Sequence, residues 1–254
     1  MHGLIMPDGG HVARGRVLAV ALTVAASSVT TVLGQTDAGA DGQVRRSVVA
    51  ESRFAVTDAP LQAEVVQLVV DFPPGAWTSW HTHGGQAINL VIEGEITLRH
   101  AGMERAYQVG QAWTDSTGQV HAAGNTGRGK ARLLTNFLLP KGAPQTTAVQ
   151  DSPFEPTIAY EARFPVPALP AEVEIVQQVA DLSSGWRAER ASMGFMATIV
   201  VDGKVTYKIG VERKEYKTGE AWSAQAGTLV TEENRSASMA RVFTTYLLPR
   251  GTSR

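Results

Sequence analysis

The sequence predicts an all-β fold of two tandem domains, each a jelly roll, barrel or sandwich. Three observations carry that reading. The chain of 254 residues matches itself along most of its length at a domain-sized offset. Its apolar segments beyond residue 34 are short, β-branched or alternating, with glycine and proline between them. None of them sustains the roughly 3.6-residue apolar period of an amphipathic helix.

In chain order the first element is a leader. Arg14 and Arg16 precede a small-residue, apolar stretch over 17–33, and Val32 and Gly34 suit the positions before a signal-peptidase cut. Residues 1–34 are therefore expected to be a signal peptide, which makes the protein secreted or periplasmic. Thr and Ser dilute the stretch, and it falls short of the roughly 20 strongly apolar residues of a membrane span. No membrane partner is expected once it is removed.

Next comes the repeat. Glu51, Arg53, Phe54, Pro60 and Gln67 recur as Glu161, Arg163, Phe164, Pro170 and Gln177, an offset of 110. One residue is then lost. Gly110, Trp113, Asn125 and Leu138-Leu139-Pro140 recur at an offset of 109 as Gly219, Trp222, Asn234 and Leu247-Leu248-Pro249. Each copy is long enough to close its own core, giving an N-terminal domain over 45–145 and a C-terminal domain over 157–254, joined through 143–156. Within them 65–70, 88–92, 95–99 and 132–139 read as strands, as do 175–179, 197–201, 205–209 and 241–248. Short strands at even spacing mark jelly rolls and barrels, although periodicity alone leaves an immunoglobulin-like sandwich open.

Composition narrows the function classes. A net charge of -1 without a long basic run gives no attraction to nucleic acid, so a small molecule is the expected partner. The chain has no cysteine, which excludes disulfides, thiolate ligands and a cysteine nucleophile and leaves histidine and oxygen donors for metal chemistry.

Beyond the leader the histidines are His81, His83, His100 and His121. The first two form His-x-His in an extended stretch, and spacing by two puts both imidazoles on one face of a strand. An isolated pair of this kind is more often surface decoration than a ligand pair. If the face points into a barrel, the two nitrogens converge and His121 from another strand completes a facial set.

These residues sit inside two longer patterns, and through them the chain resembles the cupin family. The family's first motif runs glycine, five residues, His-x-His, three or four residues, Glu, six residues, glycine. Its second runs glycine, five residues, Pro-x-Gly, two residues, His, three residues, Asn. Gly75, His81, His83 and Gly94 fit the first at family spacing, and Gly110, Gly118, His121 and Asn125 fit the second. Extended through the repeat, the resemblance covers nearly the whole chain after the leader. It implies a bicupin of two double-stranded β-helix barrels. It also implies that His81, His83 and His121 hold one divalent transition metal, with iron, manganese, nickel, copper and zinc all admissible.

Two departures stand out. Ser116 replaces the proline of the second motif, which alters only a turn. Ala87 occupies the place of the family's glutamate ligand and cannot coordinate. Gln86, after Gly84-Gly85, is a substitute ligand if its amide turns inward, whereas strict alternation from position 87 sends it outward. Asn89 has the right parity but stands further along the strand. Three imidazoles leave the charge of a divalent cation uncompensated, which favours small, anionic, chelating organic substrates.

Some members of the family use three histidines without a carboxylate for oxygen chemistry, so the resemblance implies an oxygenase. A redox-neutral lyase, isomerase or hydrolase is the rival among enzymes. A non-catalytic small-molecule or metal-binding bicupin is the rival outside them, since no acid or base can be placed beside the metal from sequence. The resemblance also admits a homodimer through outer barrel faces.

Counting from Gly185 in the second copy puts Ala191 and Met193 at the places of the paired histidines, Ala197 near that of the acid and Val230 at that of the third histidine. That barrel is expected to have lost its site to ordinary core, with a dry pocket lined by Met193, Phe195 and Met196 as the alternative. Trp77, Trp80 and Trp113 are expected to pack rather than bind, and His100 to lie on the surface. Asn234-Arg235-Ser236 matches a glycosylation pattern by accident, because Asn234 is the motif asparagine of the second copy.

Overall fold

A computed structural model describes residues 35–38, 45–167 and 169–251; the leader expected over 1–34 lies outside the described residues. The first half forms β1 (Gln35–Ala38), β2 (Arg45–Val56), β3 (Ala63–Phe72), β4 (Trp80–Thr82), β5 (Gln86–Glu93), β6 (Glu95–His100), β7 (Met103–Gln108), β8 (Ala112–Asp115), β9 (His121–Gly124), β10 (Ala131–Pro140) and β11 (Thr147–Gln150). The second forms β12 (Thr157–Val166), β13 (Val173–Leu182), β14 (Arg187–Ala191), β15 (Phe195–Asp202), β16 (Lys204–Ile209), β17 (Glu212–Lys217), β18 (Ala221–Ala224), β19 (Leu229–Glu233) and β20 (Ala240–Pro249). Among the described residues no helix is long and apolar enough to cross a membrane.

Four antiparallel sheets make two jelly rolls. The sheet β12-β3-β10-β5-β8 covers β11-β4-β9-β6-β7 in the first, and β1-β2-β13-β20-β15-β18 covers β14-β19-β16-β17 in the second. Sheet membership does not follow the repeat. β2 belongs to the first copy by sequence but pairs with β13, while its repeat counterpart β12 pairs with β3. Each copy therefore lends its first strand to the other barrel, so the division at 145 and 157 separates sequence copies rather than sheets.

The central strands are buried on both faces, which is why 65–70 and 133–139 are mostly apolar instead of alternating. One face lines the strand's own barrel: Val66, Leu68, Leu133 and Phe137 in the first, Val176, Val242 and Tyr246 in the second. The other packs sheet against sheet between the barrels, where Val65, Ile88, Leu134 and Leu138 meet Ile175, Ile199, Phe243 and Leu247. A fully buried side chain of this size contributes roughly 1.5–3 kcal/mol.

The repeated glutamines fix the two sheets in register. Gln67 Nε2 donates to the Ala197 carbonyl at 3.3 Å and to Thr245 Oγ1 at 2.9 Å. Gln177 Nε2 donates to the Ile88 carbonyl at 2.9 Å, and Thr245 Oγ1 to Asn136 Oδ1 at 2.6 Å. The Gln67–Ala197 and Gln177–Ile88 bonds relate to one another by the repeat offset, so they mark a local two-fold relation between the sheets. The motif asparagines are structural: Asn125 Nδ2 donates to Phe72 and Gly129 carbonyls, as Asn234 Nδ2 does to those of Leu182 and Ser238. Asn234 is wholly buried, so its glycosylation pattern is not an accessible acceptor.

Candidate metal centre

Strand pairing assembles the histidines. β4 and β9 are neighbours in one sheet, and His81 is the direct cross-strand partner of His121. His83 follows two residues after His81, on the same face. The ring centroids lie 4.3 to 4.9 Å apart, and one ring nitrogen from each histidine lies within 4.8 Å of the other two. All three are buried. The cluster is able to coordinate a single divalent metal ion.

Each ring is oriented from behind by a backbone carbonyl. His81 Nδ1 lies 2.7 Å from the Ser79 oxygen, His83 Nδ1 2.9 Å from that of Gln145, and His121 Nδ1 2.9 Å from that of Gln119. The N–H therefore sits on Nδ1 in all three, and each Nε2 keeps its lone pair for a ligand. Burial lowers the pKa of His81 and His121, and burial together with the two neighbouring imidazoles pushes His83 down to about 3. Neutral imidazole is the form that coordinates.

A carboxyl group that the sequence reading missed stands beside them. Asp115 Oδ2 lies 3.3 Å from His121 Nε2. It accepts from Asn89 Nδ2 at 2.8 Å and Trp113 Nε1 at 3.2 Å, and Thr135 Oγ1 donates to Asn89 Oδ1 at 2.7 Å. Burial raises the Asp115 pKa to about 6 against those two donors. The contact with His121 is thus not an ion pair: a lone-pair nitrogen faces a carboxyl oxygen, and only a proton or a cation between them relieves it. Three imidazole nitrogens converging in a buried site fit a divalent metal, with the Asp115 carboxyl group beside His121.

The structure brings His81, His83 and His121 together and leaves Gln86 outside the lining of the cavity. Gln86 pairs with Leu138 and shares its outward face, while Ala87 and Asn89 point inward. Asn89 reaches the site through Asp115 rather than toward a metal. Trp113, expected only to pack, lines the cavity and donates to Asp115. Trp77 packs so closely over Gly124 that a β-carbon there would collide with its ring, and Arg99 covers its outer face at 3.7 Å. His100, expected on the surface, is half-buried and is the cross-strand partner of His121 on β6.

The histidines open into a cavity of about 450 Å³. Leu68, Val70, Phe72, Leu133 and Phe137 form an apolar wall, and Thr78, Thr146 and Glu155 are among the polar groups that complete the lining.

The second barrel corrects the sequence count. β14 and β19 pair Arg190 with Val230 as β4 and β9 pair His81 with His121. The Ser192 carbonyl accepts from Gly227 N as that of His83 accepts from Gly118 N. Arg190 and Ser192, not Ala191 and Met193, therefore occupy the histidine places, because the lost residue falls between Arg187 and Arg190 and not after them. The interior is not wholly apolar: Arg190 pairs with buried Glu232 at 2.7 Å. Nor do Met193, Phe195 and Met196 line one pocket, since Met193 is exposed and the other two enter different cores. Trp222 repeats Trp113, but Ala224 stands at the Asp115 place and the Trp222 N–H is buried without an acceptor.

The family described as Cupin domain matches residues 68–137, the stretch that contains all three histidines and Asp115. No curated protein matches the chain. Among solved structures, AerE from Microcystis aeruginosa aligns with a TM-score of 0.53 at 13% identity, over 86% of this chain and 98% of that one. Vicilin from Solanum melongena gives 0.56 at 12%, over 86% and 83%. Bacillus subtilis oxalate decarboxylase, a protein with Mn(II) centres, gives 0.53 at 11%, over 89% and 77%. At such identities the likeness concerns the fold, which is that of two tandem cupin jelly rolls in a bicupin arrangement. Fold and site together describe two jelly rolls in a bicupin-like arrangement, the first of them with a metal-competent histidine cluster.

Proposed function

We propose that this protein is a metal-dependent enzyme that cleaves or rearranges a small organic carboxylate without net redox change, as a decarboxylase or a related lyase or isomerase does. One observation carries the reading: the buried carboxyl group of Asp115, 3.3 Å from His121 Nε2. The oxygenase expected from sequence drew on a metal set with no carboxylate, and the non-catalytic alternative on the lack of a placeable acid or base. Asp115 supplies a carboxyl group beside His121.

His81, His83 and His121 would hold the cation, which supplies Lewis acidity toward a substrate oxygen. The apolar wall of Leu68, Val70, Phe72, Leu133 and Phe137 excludes water and strengthens polar contacts at the histidine end. Asn89 and Trp113 hold Asp115 Oδ2, which fixes the direction of the carboxyl group. In a decarboxylation the bond to the carboxylate carbon breaks and CO2 leaves. The electron pair left on the adjacent carbon takes the proton from the Asp115 carboxyl group, which regains one from water. The fold shared with oxalate decarboxylase supports such chemistry by analogy alone.

The test is turnover of β-keto and α-hydroxy carboxylates by Mn(II)- and Zn(II)-loaded protein with and without O2, read by CO2 release and mass spectrometry. Equal turnover in both atmospheres is expected. Products carrying oxygen from labelled O2 would return the site to the oxygenases.

A further inference from the structure

The segment joining the two copies is built into the first barrel. After β10 the chain runs back over residues 143–156 and is tied to the strand that bears the histidines. β11 pairs with β4, setting Ala148 opposite His81 and Thr147 opposite Thr82. The Pro144 carbonyl accepts from Gly84 N at 3.0 Å and the Phe154 carbonyl from Trp77 N at 2.9 Å. A β-carbon on Gly84 would collide with the Pro144 oxygen, so glycine is required for the segment to seat.

Two of these ties reach the histidines themselves. The Gln145 carbonyl, on the segment, holds His83 Nδ1 at 2.9 Å. Glu155 Oε1 accepts from the Ser79 N–H at 3.1 Å and from the Ser79 hydroxyl. That hydroxyl oxygen accepts in turn from Ser152 N at 3.0 Å, and the carbonyl of the same Ser79 holds His81 Nδ1 at 2.7 Å. The second barrel provides an internal comparison. Its strand β14, the counterpart of β4, is an edge strand with nothing paired outside it among the described residues, and Arg190 and Ser192 stand at the histidine places.

We propose that the segment is a working part of the metal centre, with Glu155 a positioning residue that acts through Ser79 on His81. The inference rests on the reading that the three histidines hold a metal. A ligating imidazole is fixed in rotation and tautomer by the group behind it, and losing that group costs roughly 10–100-fold in affinity. Here two such groups depend on one strap, so metal affinity depends on its seating.

The probe is Co(II), titrated into metal-free full-length protein and followed by visible absorption and by competition with a chelator. Glu155→Ala is expected to weaken Co(II) binding by roughly tenfold or more and to shift the absorption bands. Glu155→Gln keeps an acceptor oxygen and is expected to retain wild-type affinity and bands. Ser79→Ala, which loses the hydroxyl but keeps N–H and carbonyl, is expected to fall between them. The thermal midpoint of the metal-free protein should not move, since Glu155 is exposed. Glu155→Ala binding Co(II) with wild-type affinity and bands overturns the strap's role alone. A wild type that takes up no Co(II) overturns the metal reading and this inference with it.

Discussion

Asp115 on β8 is the direct cross-strand partner of Ala87 on β5. The carboxyl group absent from position 87 thus enters the same barrel from the neighbouring strand, one ladder step across. It lies 3.3 Å from His121 Nε2, at the edge of the histidine cluster.

The substitution Asp115→Asn keeps the shape of the side chain and removes its acid function. Turnover of the substrate is expected to fall by about 10²–10⁴-fold, the usual worth of a positioned acid or base, with metal content retained. Steady-state kinetics beside elemental analysis checks this. A variant as active as the wild type would remove Asp115 from the chemistry.

The ligands themselves should give a larger effect on metal than any group behind them. His81→Ala and His83→Ala are each expected to weaken Co(II) binding by more than the roughly 10–100-fold cost of losing an outer partner. Thermal denaturation of the metal-free variants should show a folded protein, because each change enlarges a cavity rather than opening a packed core. Retention of stoichiometric metal in the double variant would place the metal elsewhere.

Acid should destabilise the metal-free protein. Burial holds His81, His83 and His121 below their ordinary value of 6.5, His83 at about 3, so between these limits the unfolded chain binds protons that the folded one does not. Stability from these groups is intact above about pH 6.5 and declines as the pH falls toward 3. Asp115 works oppositely, since its pKa rises from 3.8 to about 6 and its contribution is lost as the pH rises through that window. Three histidines against one carboxyl group leave a net loss on acidification, of up to about 1.4 kcal/mol per pH unit from His83. Thermal midpoints across this range should show the slope, and His83→Ala should flatten it. An unaltered slope would contradict the assignment.

The two barrels should melt together. Phe243 is wholly buried in the core between them, and Phe243→Ala is expected to cost about 3–5 kcal/mol. Calorimetry should record one transition in both proteins, displaced downward in the variant. Two separated transitions, with only one displaced, would show that the barrels unfold independently.

The parts that were legible in the sequence are those written along a single strand or in a single turn. His81 and His83 lie on one face of a strand, and Gly110, Gly118 and Asn125 keep their spacing in the second copy as Gly219, Gly227 and Asn234. The recurrence of Gln67 at Gln177 was visible too, and the structure supplies its cause in the polar lock between sheets. What was hidden depends on pairing across strands. Asp115 shares parity with buried Trp113, a signal that could have drawn notice, but only the β5–β8 ladder puts it opposite Ala87. The shift of Arg190 into the place of His81 was hidden because no residue between Gly185 and Gly194 marks where the chain shortened. Strand exchange leaves no trace in a self-comparison, which is the same whichever barrel receives the strand.

That exchange of β2 and β12 bears on descent. Two separate single-barrel proteins that traded first strands would make these same contacts, so the chain has the anatomy of an ancestral pair closed into one gene. Once fused, such a pair would need only one site, and the corresponding positions of the other, here Arg190, Ser192 and Val230, would be free to drift. The barrel around them is not free to go. Its loss would carry away the strand that flanks β3 in the first barrel, so heredity would retain the whole of a partner that holds no histidine of its own.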